Sequence, residues 1–346
     1  MNNDSKPSER ATISKEQIAS DLRRMGIRKG DHVAVTLSFK AVGNVNGGPN
    51  AFIDCLLDAV GPEGTITMNS YTPSYPIAEI ALDYVFDPKS SVPYTGIVPR
   101  TLLSRKGVVR SRHPTCSVAS IGKLAHYLAD DHDEKAAPFL PYLRLSHANG
   151  KYLCIGLKDR LVAVRHEAQR RAGFLLIPMF TGVRYKNTEG ETKLFIQLNS
   201  PCARNLPKLV PRLRTKGIIK GGKIGLAESN VANAAALIEA MSSMLKEDPT
   251  LNLCDDIFCL RCRETEKRLN LYSRIENPHF FQKSKFMRKV LGWRNSFVLG
   301  RYSHISFSND STHKRPITPD AFFDIVLRRI GWFFQVHSRL IVTTVL

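Results

Sequence analysis

The chain has 346 residues, 43% of them hydrophobic, which is enough to bury a large core. Its 50 Lys and Arg stand against 31 Asp and Glu, a formal net charge of +19, so an anionic partner is expected: a nucleotide-like small molecule, nucleic acid or an anionic surface. No apolar run of about 18 residues could cross a membrane, and the seven Cys, an odd number spread along the chain, suit reduced thiols better than a disulfide framework. The N-terminus is polar and unlike a signal peptide, so a soluble cytoplasmic protein is expected. Nothing in the chain matches a zinc-finger, RNP or basic-heptad pattern, so a nucleic-acid module is unsupported.

In chain order, residues 1–11 read as a disordered lead. Ser14 with Gln17 three residues on is a capping-box signature, Ile18, Leu22 and Met25 follow helical spacing, and Gly26 ends that helix. His32 to Leu37 reads as the first strand. It feeds Ser38, Phe39 and Lys40 and a loop with Gly43, Gly47, Gly48 and Pro49, after which residues 51–60 form an amphipathic helix. A strand, a Ser/Lys/Gly-rich loop and a helix N-terminus can cradle a phosphate. The spacing matches neither the Walker pattern nor the dinucleotide fingerprint, and an ordinary strand-to-helix loop is the simpler reading.

Residues 65–69 read as a second strand, and 71–99 as a long irregular section of the kind that lines or covers a site. A helix over 97–103 follows, and residues 108–111 lead to His113, Pro114, Thr115, Cys116 and Ser117. Tyr152 to Gly156 is too short and apolar for a helix and reads as a buried strand opening into a loop. Helix formers run from about Ala163 to Ala172, with Gly173 placed for a left-handed C-terminus. His166 therefore lies on a helix that follows the C-terminal end of a strand, the edge where α/β sheets bind ligands; a His packed on the sheet or in solvent is the alternative. Strands are expected at 174–180, 183–185 and 193–198, a basic helix at 206–213, a turn-rich return at 217–225 and a strong amphipathic helix at 232–245. Glu228 reads as a helix-start carboxylate or a site residue.

These motifs, in this order, resemble the aminoglycoside 3-N-acetyltransferase family over roughly residues 15 to 248: the segment from Leu22 to Asp31, Val35 to Lys40, Gly47 to Pro49, Gly61 to Thr65, Phe86 to Pro88, Arg112 to Gly122, Tyr152 to Gly173 and Lys223 to Glu228. The resemblance implies an α/β fold with a central mixed β-sheet flanked by helices, and a basic C-terminal extension beyond it. The expected organisation is a lead over 1–11, an acetyltransferase-like domain over 12–249 and the extension over 250–346. It implies a transferase that moves an acetyl group from acetyl-CoA to an amino group of an aminoglycoside or other amino sugar, an antibiotic-resistance type of activity, with His166 as the catalytic base. It places Ser38, Phe39 and Lys40 on the coenzyme A pyrophosphate, and Thr115 and Ser117 on a strand beside the acyl donor. Histidine suits this work because its ordinary pKa of about 6.5 lets it take a proton near neutrality.

The chain departs from the family pattern on the acceptor side. The His usual just before the first-loop Ser is Thr36 or Leu37 here, the Ser/Asn-Thr before the catalytic His is Val162 and Ala163, the Ser-Pro-x-Gly-x-Leu segment is Leu140 to Leu145, and the Glu usual three residues beyond the His is Gln169. Glu167, about a hundred degrees round the helix, is poorly placed to orient the ring. A non-catalytic member acting as a binding protein, and a polyanion-binding protein, are the alternatives. Acetyl-CoA and an amine-bearing small molecule are the expected partners, and a homodimer stays open.

Residues 251–346 hold 16 Lys and Arg against 8 Asp and Glu. They open with Cys254, Cys259 and Cys262, a C-x4-C-x2-C spacing that can ligate zinc if a fourth ligand arrives, with His279 nearest in sequence. Three reduced thiols packed as small apolar groups are the simpler expectation, so no metal ligand is assigned. Further on, Arg288, Lys289, Trp293, Arg294, Phe297 and Arg301 mix cations with aromatics, and 322–346 reads as an amphipathic helix plus strand.

Overall fold

The computed structural model describes residues 12–76, 80–81, 83–157, 162–174, 177–199, 201–202, 204, 206–256 and 258–268. The expected lead over 1–11 and everything past 268, including His279 and the cation–aromatic segment, lie outside the described residues.

The first elements are β1 (Thr12–Ile13), α1 (Lys15–Met25), β2 (His32–Leu37), α2 (Phe39–Val42), β3 (Asn44–Val45), α3 (Gly48–Val60) and β4 (Thr65–Asn69). Next come β5 (Tyr75–Pro76), β6 (Val85–Phe86), α4 (Ile97–Leu103), β7 (Val109–Arg110), β8 (Val118–Gly122), α5 (Ala125–Ala129) and α6 (Leu140–His147). The second half holds β9 (Lys151–Ile155), α7 (Val162–Arg171), β10 (Ile177–Lys186), β11 (Thr192–Asn199), α8 (Leu206–Thr215), β12 (Lys220–Ile224), β13 (Ala227–Asn233) and α9 (Ala234–Glu247). A 3-10 turn at Pro249–Asn252 and α10 (Leu260–Arg268) complete them.

Local signals explain most boundaries. The Ser14 side chain accepts the Gln17 N–H at 3.2 Å, and Gly26 closes α1 in the left-handed region at φ 94°. Gly173 closes α7 in the same way at φ 86°, with the Phe174 N–H returning to the Gln169 carbonyl at 2.9 Å.

A seven-stranded mixed sheet in the order β12-β13-β9-β2-β4-β8-β7 forms the centre. β9, β2 and β4 are parallel, and the outer pairings are antiparallel. Side chains alternate across it as the strand period of two requires. Val33, Val35, Ile66, Met68, Leu153 and Ile155 face one core with α1, α3 and α4. Ala34, Tyr152, Cys154 and Ala232 face the other with α5 to α9. The result is the α/β architecture expected, helices on both faces of a mixed sheet. A smaller sheet joins β11, β10 and β5, with β6 beside β10, around Phe86, Val183 and Tyr185.

Several expectations are corrected. Residues 113–117 form a turn, and the strand begins at Val118: the His113 ring nitrogen Nδ1 accepts the amides of Thr115 and Cys116 at 3.3 and 3.1 Å, and Pro114 has no N–H to give a ladder. The two strands expected near 174–185 are one, β10, and residues 217–225 contain the edge strand β12. Glu228 lies within β13, paired with Lys223 at 3.2 Å, so it caps no helix. All the described residues, which lie between 12 and 268, fall in one compact unit. Among the described residues no helix is long and apolar enough to cross a membrane.

Candidate active site

Because β2, β4 and β9 run parallel, their C-terminal ends open on one edge of the sheet. Three segments leave from there: Ser38 to Val42 after β2, Ser70 to Thr72 after β4, and the stretch after β9 that reaches α7 and His166.

His166 Nδ1 lies 2.7 Å from Gln169 Oε1, one turn along α7. The Gln169 amide has only one orientation that fits its surroundings, because its nitrogen donates to the Cys202 carbonyl at 3.3 Å and to Asn252 Oδ1. Its oxygen must therefore face the ring, and Nδ1 must carry the proton. Nε2 is left as the acceptor, taking a hydrogen bond from Arg165 Nη2 at 3.0 Å, and Arg can only donate. Phe139 stacks on the ring at 4.6 Å and 23°. This enclosure pushes the histidine well below its ordinary pKa, first by burial and second by the Arg165 charge, against the opposing Gln169 bond. The imidazole is thus neutral at physiological pH with its lone pair on Nε2, the form a general base needs.

Glu167 takes no part. Its carboxylate is held by Arg170 at 2.9 and 2.7 Å and by Arg171 at 3.1 Å. Burial alone would raise its pKa, but these bonds outweigh it and hold the group below the usual range.

A belt of tyrosines lies inside the same sheet edge. The Tyr152 hydroxyl and Thr36 Oγ1 are 2.8 Å apart, Tyr142 bonds Asn69, and burial drives the phenols of Tyr71 and Tyr142 far up from their ordinary pKa. Thr95 Oγ1 donates to the Asn69 carbonyl at 2.7 Å. The Tyr71 and Tyr142 hydroxyls are therefore neutral at working pH.

The residues expected on the acyl-donor side divide. Ser38 receives the end of β9, its N–H donating to the Ile155 carbonyl at 2.9 Å, while its side chain makes no capping bond. Phe39 is an apolar anchor, its ring edge-on to Phe52 at 5.6 Å, and Lys40 is exposed. Thr115 donates to Gln197 Oε1 at 3.0 Å from a buried turn. Ser117 is wholly buried, donating to the Ser70 carbonyl at 2.7 Å, and stitches the ends of β4 and β8 together. Between Ser38 and β9 sits Gly156 at φ 67°, where a Cβ would lie 2.4 Å from Ala41 Cβ and 3.3 Å from the Ser38 carbonyl. The glycine is what allows the loop after β9 to lie against the loop after β2.

The motif reading overlooked Arg165, Phe139 and the tyrosine belt. Gln169 carried a readable signal, since a polar side chain three residues beyond a helical His faces it. A cavity of about 350 Å³ lined by Pro88, Ser91, Arg100, Leu103 and Arg110 is separate and shares no residue with the surroundings of His166.

The family model described as Aminoglycoside 3-N-acetyltransferase matches residues 34–246. Aminoglycoside N(3)-acetyltransferase VIII of Streptomyces fradiae is 34% identical over 176 residues, 46% of this chain and 62% of that protein, so the match spans less than two thirds of it. Aminoglycoside N(3)-acetyltransferase VII of Streptomyces paromomycinus is 29% identical over 268 residues, covering 68% of this chain and 92% of that protein. The crystal structure of aminoglycoside acetyltransferase AAC(3)-Xa aligns with a TM-score of 0.61 at 27% identity, over 68% of this chain and 94% of that one.

Proposed function

Since the chain belongs to the aminoglycoside 3-N-acetyltransferase family, we propose that it moves an acetyl group from acetyl-CoA to an amino group of an aminoglycoside or related amino sugar. The observation that carries this reading is the tautomer of His166: Gln169 holds the proton on Nδ1 and leaves the Nε2 lone pair as the acceptor, on the helix that follows β9. The amine nitrogen attacks the thioester carbonyl, and Nε2 removes a proton from it. The C–N bond forms, the C–S bond breaks, and the leaving thiolate of coenzyme A takes up a proton. The incoming amine has to displace the Arg165 N–H that now occupies Nε2. On the donor side, exposed Lys40 and the Ser38 hydroxyl are assigned to the phosphates of the coenzyme, with Phe39 as their fixed support.

A second reading, a binding protein that has lost turnover, is favoured by one observation: the partner of His166 is an amide and supplies no charge to stabilise an imidazolium. Release of free thiol from acetyl-CoA, followed over a panel of aminoglycosides and amino sugars together with calorimetry of acetyl-CoA binding, separates the two. Turnover of any acceptor supports the enzyme. Binding without turnover of any acceptor supports the second reading, and absence of binding at millimolar acetyl-CoA overturns both.

A further inference from the structure

Four cysteine sulfurs meet below α7. Cys202 lies between β11 and α8, while Cys254, Cys259 and Cys262 follow the 3-10 turn, and all four Sγ atoms are within 4.8 Å of one another. Cys259 and Cys202 are 3.7 Å apart, and Cys262 and Cys254 are 3.5 Å apart. None is in a disulfide. In a tetrahedral tetrathiolate with Zn–S of about 2.3 Å the sulfur–sulfur edge is about 3.8 Å, so the observed spacing is that of a ligand cage.

The simpler alternative is a small apolar core of protonated thiols. That core would be built almost wholly of cysteine, since Leu253 is its one other member among the described residues. Aliphatic side chains fill such space better and carry no polar atom. Two backbone amides also point at sulfur: Cys254 N–H at Cys262 Sγ, 3.2 Å, and Arg204 N–H at Cys202 Sγ, 3.4 Å. Such donors stabilise a thiolate. The Arg204 side chain pairs with Asp256 at 3.0 Å, tying the Cys202 segment to the one that carries Cys254. Cys202, 52 residues before Cys254, supplies the fourth thiol that the C-x4-C-x2-C spacing lacks.

We propose that Cys202, Cys254, Cys259 and Cys262 form a structural zinc site that staples the segment after α9 onto the α/β body. Four thiols lose four protons to solvent as the ion binds, giving a tetrathiolate with charge −2. All four positions are protein ligands, so no place remains for water or substrate and the ion holds structure. The staple also stands behind the active site, because the Cys202 carbonyl and Asn252, the partners that orient Gln169, sit on the two segments it joins. This last link rests on the acyltransfer reading; the metal site does not.

The test uses the full 346-residue chain, purified without chelator. Elemental analysis is expected to find about one zinc per chain, and cobalt substitution to produce the intense visible bands of tetrahedral cobalt–thiolate. A strong chelator should lower the melting temperature, and zinc, unlike magnesium, should restore it. Cys202→Ser should lose the metal, whereas Cys55→Ser, outside the cluster, should keep it. The wild-type cobalt spectrum is decisive by itself, whether or not Cys202→Ser folds. Iron in place of zinc, no stoichiometric metal, a cobalt spectrum without thiolate bands, or full zinc in folded Cys202→Ser would each overturn the proposal. Metal content is independent of turnover, so its failure is distinguishable from failure of the acyltransfer reading.

Discussion

Gln169 Nε2 donates to the Cys202 carbonyl while Gln169 Oε1 receives His166 Nδ1–H, so the tautomer of the base is set from a segment 36 residues away in sequence. On the proposed acyltransfer reading, His166 acts as the base on the amine in the transition state. His166→Ala is expected to lower kcat by roughly 10² to 10⁴ while leaving acetyl-CoA binding nearly unchanged. Steady-state kinetics beside calorimetry checks it. Wild-type rates in the variant between pH 6 and 9 would show that another group takes the proton.

Burial and Arg165 hold the His166 pKa down, so the base is already unprotonated at pH 6.5. The acid limb of kcat/KM should therefore lie below 6.5. Gln169→Glu would put a carboxylate on Nδ1, favour the imidazolium and move that limb upward. The variant should also lose about 1–3 kcal/mol of stability, because Gln169 satisfies two buried oxygens that a carboxylate cannot. A pH–rate profile with an unmoved limb would mean that His166 is not the titrating base.

Three enclosed histidines, His113, His132 and His166, make the fold acid-sensitive. His113 and His132 stack at 4.8 Å, and burial lowers them to about 4 and about 3, the second also through the charge of the first, while burial and Arg165 lower His166 in the same direction. Each binds its proton more readily in the unfolded chain, so stability is complete above about pH 6.5 and falls as pH drops toward the folded values. The slope is about 1.4 kcal/mol per pH unit for each histidine. Denaturant titrations at pH 5, 6 and 7 should show this decline, and His132→Phe should flatten it, even though it also loses the 2.9 Å contact with Ser111. Parallel slopes for wild type and variant would refute the assignment.

Gly156→Ala is expected to cost about 2–4 kcal/mol, from the left-handed backbone and from overpacking against Ala41. It should also raise the KM for acetyl-CoA, because the loop carrying Ser38 to Lys40 must move. Gly107→Ala, also at positive φ but with open space, is the control and should cost about 1 kcal/mol with unchanged KM. Equal effects at both positions would remove the packing argument.

Lys40→Ala should weaken acetyl-CoA about tenfold to a hundredfold, the worth of one charge-assisted hydrogen bond, with kcat little changed. Ser117→Ala should instead destabilise the fold, since that hydroxyl is committed inside the sheet edge. Thermal shift with and without acetyl-CoA distinguishes the two behaviours. An unchanged KM in Lys40→Ala would take the phosphates elsewhere.

The sequence by itself determined what short-range chemistry controls: the Ser14 and Gly26 ends of α1, the alternation that puts Val33 and Val35 on one face of β2, and the strand–helix order from Tyr152 to Gly173 with His166 on its helix, while the mixed sheet was what the family resemblance of these motifs implied. The family resemblance implied a strand at 113–117, where a side-chain ring closing on two amides makes a turn instead, and the helix-start reading of Glu228 failed because its strand forms only with β9 and β12 on either side of β13. Only the tertiary structure decided which proton His166 carries, because the Gln169 amide is oriented by Cys202 and Asn252. Only it brought Cys202 to the three later cysteines, since spacing reports on neighbours along the chain, whereas a ligand cage is a fact about segments that meet after the chain has folded.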